Sequence, residues 1–151
     1  MKNEWNVYPR PQLKRKDWLN LNGEWTFNTD EVINVPFCPE SELSGLAGQD
    51  YTGKTLTYER TLRVPAEWTA RRDRIILHIG AADQVAQVYI NGAMAGEHSN
   101  GYLPFDVDIT DYLKEDNEII IETTDNLDHK YPWGKQKINR GGMWYTPVSG
   151  I

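Results

Sequence analysis

Three stretches decide the fold: Ile75-Ile76-Leu77-His78-Ile79, Ala86-Gln87-Val88-Tyr89-Ile90-Asn91-Gly92-Ala93-Met94-Ala95, and Phe105-Asp106-Val107-Asp108-Ile109. In each, apolar side chains recur at every second position, the period of a strand with one buried face. Asn91 and Gly92 both tolerate positive φ, so they predict a two-residue type I′ hairpin. That turn sets a register in which Ile90 faces Ala93 and Val88 faces Ala95 on one side, while Tyr89 and Met94 share the other. After a short turn over 110–113, Glu118 to Thr124 runs out as another strand. Asp106 and Asp108 alternate with apolar residues, which points both carboxylates to solvent.

Working outward, Tyr58, Arg60, Leu62 and Val64 alternate with polar residues up to Pro65, with Trp68 closing the strand. Trp25 and Phe27 follow the Asn22-Gly23 turn and read as core, and Ile33-Asn34-Val35 is a short strand stopped by Pro36. The stretch from Pro36 to Gly53, with Gly45 and Gly48, is unusually long for a connection, and long ordered loops in compact domains are disproportionately functional. A second such loop begins at Asp125 and contains Asp128, His129, Lys130, Tyr131, Trp133, Lys135 and Gln136 without any periodicity. At the other end, Tyr8-Pro9-Arg10-Pro11 predicts an extended arm over 1–17, and Lys14-Arg15-Lys16 reads as a solvated charge cluster. No helical run or internal repeat interrupts this pattern. The expectation is a single all-β domain over 1–151, two antiparallel sheets face to face.

A length of 151 residues suits one domain with one core. The formal net charge of −6 argues against a nucleic-acid partner and does not suggest an anionic membrane surface. No stretch is apolar for long enough to cross a bilayer as a helix. Cys38 is the single cysteine, so an intrachain disulfide is excluded. With no apolar leader in Met1-Lys2-Asn3-Glu4-Trp5, a cytoplasmic location is expected. Six tryptophans and eight tyrosines against three phenylalanines favour rings with a polar handle, which suit sugar faces and wet interfaces as well as core.

Glu40 with Glu42, or Asp125 with Asp128, are candidate acid/base pairs, but sequence does not fix their separation. His78, His98 and His129 lack any metal-ligand spacing, and Cys38 has the surroundings of a structural thiol, so neither a metal nor a cysteine nucleophile is expected. Without a Gly-rich phosphate loop or a Gly-x-Ser-x-Gly elbow, no nucleotide or other cofactor is expected. Tyr102, Tyr131, Trp133, Trp144 and Tyr145 carry two readings, a platform for a sugar ring or packing against the interior or another domain.

Several fragments, in order, resemble one family. They are Tyr8-Pro9-Arg10-Pro11-Gln12, Trp18-Leu19-Asn20-Leu21-Asn22-Gly23-Glu24-Trp25, Val35-Pro36-Phe37-Cys38-Pro39-Glu40-Ser41, Val88-Tyr89-Ile90-Asn91-Gly92, Gly101-Tyr102-x-Pro104-Phe105 and Trp144-Tyr145-x-Pro147-Val148-Ser149-Gly150-Ile151. The chain is similar to the amino-terminal sugar-binding domain of family 2 glycoside hydrolases, the β-galactosidase and β-glucuronidase group. The resemblance implies a jelly-roll β-sandwich of the galactose-binding type, followed in whole enzymes by an immunoglobulin-like domain and a catalytic (β/α)8 barrel. Both catalytic glutamates of the retaining mechanism reside in that barrel. The resemblance therefore implies no catalytic residue in this chain, weak affinity for a terminal β-linked sugar, and a supporting role beside the barrel.

Some members place an acidic residue shortly before the Ser-Gly-Ile-like segment to touch the sugar, where this sequence has Gly142 or Trp144. The candidates for substrate contact are then Lys135 and Gln136, with Trp133 and Tyr102 as ring surfaces. The family continues past Ile151 into a closing strand, so a sandwich one strand short, with an unpaired edge, is expected. That edge raises a rival reading, a self-associating structural domain forming homo-oligomers. The ring-rich composition raises another, a free-standing carbohydrate-binding module.

Overall fold

The computed structural model describes residues 10–46, 49–71, 73–139 and 141–151. Among them the chain forms strands β1 (Gly23–Phe27), β2 (Glu31–Val35), β3 (Thr55–Leu62), β4 (Ile76–Ile79), β5 (Val85–Ile90), β6 (Ala93–Ser99), β7 (Phe105–Asp108) and β8 (Asn117–Thr124). One sheet has the order β2-β1-β3-β8-β5-β6, the other pairs β4 with β7, and every named pairing is antiparallel. This is the all-β sandwich that the alternating pattern predicts.

The inward positions are the ones that the period of two marks. Trp25, Phe27, Ile33, Leu56, Tyr58, Leu77, Val88, Ile90, Val107, Ile119 and Ile121 are all buried. Phe27 meets Tyr51 and Tyr58 edge to face, with ring centroids 5.6 and 5.1 Å apart. Arg60 breaks the apolar series on β3. It is accommodated because its guanidinium donates to the carbonyls of Leu21 (2.6 Å) and Asn22 (3.3 Å) and lies over the Trp25 ring.

Asn91 and Gly92 have φ of 54° and 81°, as a type I′ turn requires. The Asn91 amide donates to the Tyr112 carbonyl and to Asn117 Oδ1, and its Oδ1 accepts the Glu118 amide, so the hairpin tip is pinned to the start of β8. Ile90 faces Ala93 and Tyr89 faces Met94 as expected, but Val88 faces Gly96 rather than Ala95 because of a bulge between Val88 and Tyr89. The bulge has a packing consequence. A Cβ at Gly96 would lie 3.0 Å from a Val107 methyl, so the shifted register puts the residue without a side chain where β6 crosses β7.

Two further differences from the sequence reading are local. Ala66–Ala70, with Trp68 at its centre, forms a helix (α1), too short for a helical period to show. Strand β3 begins at Thr55, three residues before the first recognised position. Of the arm expected over 1–17, residues 1–9 lie outside the described ones, as does Gly48 of the first loop, and Pro11–Leu13 makes a 3-10 turn.

Asp106 and Asp108 do face solvent, paired with His78 and Arg74. The two-stranded sheet covers only part of the larger one. Between them runs a groove of about 1360 Å³ lined by Leu21, Trp25, Leu62, Leu77 and Ile109 among others. What positions the candidate site is register: Val85 faces both Thr124 and Ser99, so the chain entering β5 and the loops leaving β6 and β8 gather at one corner.

Candidate functional site

The loop that follows β8 starts with two short turns built by its own acids. Asp125 Oδ1 accepts the Leu127 amide at 2.6 Å, and Asp128 Oδ1 accepts the Lys130 amide at 3.0 Å. These two carboxylates shape backbone. The Asp125 carbonyl also takes the Gly53 amide at 2.7 Å, tying the two long loops together.

Beyond these turns the rings stack. The His129 imidazole lies 4.2 Å from the Trp133 ring at an interplanar angle of 18°, and Trp144 runs nearly parallel to Trp133 at 6.2 Å. Lys137 Nζ sits 4.3 Å from the Trp144 ring centre, which gives the stack a cationic cap. The return limb is zipped to the outgoing one. Tyr145 N donates to the Lys135 carbonyl at 2.8 Å and Lys137 N to the Tyr145 carbonyl at 3.0 Å, with Gln136 and Tyr145 forming a parallel bridge.

The four residues singled out from sequence divide into two sorts. Lys135 is exposed, and Tyr102, at 57% exposure, reaches over from the loop after β6 so that a Cβ at Gly134 would overlap its hydroxyl. Gly134 has φ of 65°, which favours glycine there on conformational grounds too. Trp133 is half-buried inside the ring stack. Gln136 is buried, and its side-chain carbonyl accepts the Val148 amide at 2.6 Å, so it braces the loop from beneath. Tyr102, Trp133 and Lys135 therefore share one corner, with Tyr145, 63% exposed, as a further ring nearby in sequence to Trp144. Together they offer one ammonium, two phenols and partly open ring faces, a set able to donate to hydroxyls or to a carboxylate.

Of the residues that fix this loop, Asp83 and Gln84 escaped the sequence reading, and Glu40 was named there only as a candidate acid. Gln84 is buried. Its amide carbonyl accepts the Asp128 amide at 3.0 Å and its NH2 donates to the Asp128 carbonyl at 3.3 Å. Asp83 N donates to the Gly150 carbonyl at 2.9 Å. Glu40 accepts both the Ser149 hydroxyl (2.7 Å) and the Ser149 amide (3.2 Å), so its carboxylate serves the return of the chain and does not pair with Glu42. Burial, then the nearby Asp125 and Glu40, push the Asp83 carboxyl up to about 7. Burial also raises Asp125, against the pull of the Leu127 amide, and raises the Tyr58 hydroxyl, against the pull of the Ile151 backbone. Gly150, at φ of 96°, passes so close to Tyr58 that a Cβ there would overlap the hydroxyl. A faint signal for this knot existed in the sequence, since Glu40 and Ser149-Gly150-Ile151 both belong to the family-like fragments.

Fold and corner together define a galactose-binding-like β-sandwich domain. The chain belongs to the family described as glycosyl hydrolase 2 galactose-binding domain-like, whose model matches residues 13–142. A β-galactosidase from Thermoanaerobacter pseudethanolicus is 29% identical over 124 residues, covering 76% of this chain and 16% of that protein. The β-glucuronidase of Felis catus is 32% identical over 130 residues, covering 69% of this chain and 20% of that protein. Among solved structures, the β-glucuronidase of an uncultured Clostridium sp. superimposes with a TM-score of 0.59 at 25% identity over 69% of this chain and 21% of its own. The chain spans about a fifth or less of the length of these relatives.

Proposed function

We propose that this chain serves as the non-catalytic amino-terminal domain of a retaining β-glycosidase, supporting a catalytic barrel and helping to shape the entrance for a terminal β-linked sugar. The observation that carries this reading is the extent of the likeness. The family model spans residues 13–142, yet the relatives that share this segment are whole β-galactosidases and β-glucuronidases about five or six times as long. In such enzymes bond cleavage belongs to paired carboxylates in the barrel. Here Glu40, Asp125 and Asp128 are each committed to backbone groups.

The corner formed by Tyr102, Trp133 and Lys135 supplies the sugar-facing contacts in this reading, with Gln136 bracing them. A few exposed donors give feeble affinity on their own. A monosaccharide dissociation constant at or above about 1 mM, some 4 kcal/mol of binding, is expected. Titration calorimetry of the chain with galactose and glucuronate checks this. Micromolar binding, or hydrolysis of an aryl β-glycoside by the chain itself, would overturn it.

A homo-oligomer is the rival that one observation favours. Among the described residues β4 and β7 pair only with each other, which leaves both outer edges free. Light scattering over a range of concentrations separates the two, since a monomer throughout removes the rival. The lone Cys38 supports placing the chain in the cytoplasm.

A further inference from the structure

The 125–148 loop leaves the sandwich and returns to it at one place. Gln84 holds its beginning through both backbone groups of Asp128. Asp83, the preceding residue, holds its return through the Gly150 carbonyl, and Glu40 secures Ser149 beside it. A single step of chain grips both ends of the loop.

That step also carries a carboxyl group with no counter-charge among the described residues. One oxygen of Asp83 is buried without a hydrogen-bond partner among the described residues, and the side chain is pressed so closely on Gly101 that a Cβ there would overlap it. The charges that act on it are Asp125 at the end of β8 and Glu40 in the turn after β2, both negative. The loop after β6 contributes uncharged Asn100 and Gly101, and His98 just before it stacks on Phe105. On the 125–148 loop, Asp128 and Lys130 face each other at 3.9 Å. Among the described residues no lysine or arginine forms an ion pair with Glu40, Asp83 or Asp125.

We propose that Glu40, Asp83 and Gln84 form a pH-sensitive clamp that sets the posture of the 125–148 loop, closed while the Asp83 carboxyl is neutral and loosened once it ionises. A neutral Asp83 adds no charge beside Asp125 and Glu40. An ionised one is a half-buried anion facing two others, and water is its available counter-partner. Water reaches it when the Gly101 backbone pressed against it moves out and the Asp83 segment shifts, which pulls through the Asp83 amide on the Gly150 carbonyl and draws the adjacent Ser149 away from Glu40. The clamp rests on the proposed function only in that the loop it controls is the sugar-facing one.

The test follows the loop without any sugar present, so its outcome is separate from whether the corner binds carbohydrate. The 15N-labelled chain in a His129→Gln background, which removes the imidazole's contribution to the Trp133 signal, is titrated from pH 5.5 to 8.5. The indole signals of Trp133 and Trp144 and the amides of Asp128, Val148 and Ser149 are the probes. One shared transition centred near pH 7 is expected, matching the raised Asp83 carboxyl. Asp83→Asn abolishes it and keeps the acid-form signals, and Asp125→Asn moves the midpoint to lower pH. No transition in the parent chain, an undiminished one in Asp83→Asn, or an unmoved midpoint in Asp125→Asn overturns the clamp. The Asp125 variant keeps the test decisive if the Asp83 variant fails to fold.

Discussion

Replacing Asp83 by Asn should make the protein more stable at pH 8 than the parent, and the size of the gain follows from where the carboxyl sits. The ordinary carboxyl value of 3.8 is pushed to about 7 in the fold, first by burial and then by Asp125 and Glu40. Between pH 4 and 7 the folded chain keeps a proton that the unfolded chain has released. Stability therefore falls as pH rises through that window and levels off above it. A gap of about 3 pH units at about 1.36 kcal/mol per unit sets a ceiling near 4 kcal/mol. Asp83 is partly open to water, so screening reduces this to about 1–2 kcal/mol. Asn has the same shape and no charge to desolvate. Urea unfolding at pH 4.5 and pH 8 should show the difference between variant and parent widening by that amount, or about 2–8 °C in Tm for a domain of this size. An unchanged difference at the two pH values, or a variant less stable at pH 8, would mean that Asp83 is solvated or paired after all, and the reasoning about the knot would fail with it.

Gly150→Ala places a Cβ at φ of 96° against the buried Tyr58 hydroxyl and 3.1 Å from Pro39 Cδ. A loss of about 2–4 kcal/mol is expected in urea unfolding, part of it recovered by adding Tyr58→Phe, and strict additivity of the two changes would refute the contact. Asp108 is held down to about 2 by the Thr110 hydroxyl, Arg74 and the Thr110 amide, in that order. Its carboxyl carbon should titrate there by NMR, and Thr110→Val and Arg74→Ala should each raise the midpoint. The sign is opposite to that at Asp83, because this depressed carboxyl favours the fold above the ordinary carboxylate range and ceases to do so as pH falls through about 2.

The sheets were legible because strand burial is written locally, one residue in two. Ile75, Leu77 and Ile79, or Ala86, Val88 and Ile90, announce their buried face without reference to the rest of the chain, and all six are buried. The hairpin was legible because Asn91-Gly92 carries its own conformational requirement. The bulge after Val88 was not, since its reason lies in Val107, eleven residues beyond Gly96 and in the other sheet. Helix α1 spans five residues, little more than one turn, so no period could form.

The candidate site obeys a different logic, and this explains why its residue types could be named more readily than their roles. A loop has no period, and it is held by single polar contacts whose partners stand far away in sequence: Glu40 and Ser149 are 109 residues apart, Gln84 and Asp128 are 44 apart. Proximity in sequence suggested pairing Glu40 with Glu42 and Asp125 with Asp128. Space instead gives Glu40 to Ser149 and lets each aspartate cap its own turn. Gln136 makes the same point from inside the loop. Its amide could serve a ligand as well as a backbone, and the buried Val148 contact shows that it serves the backbone, leaving Lys135 and Tyr102 as the outward donors. A loop that must present a few side chains at fixed positions needs other polar side chains to hold it, and those holders are drawn from the same residue types. Where they are carboxylates set close together without a cation among the described residues, as Glu40, Asp83 and Asp125 are, the support itself is expected to respond to protons.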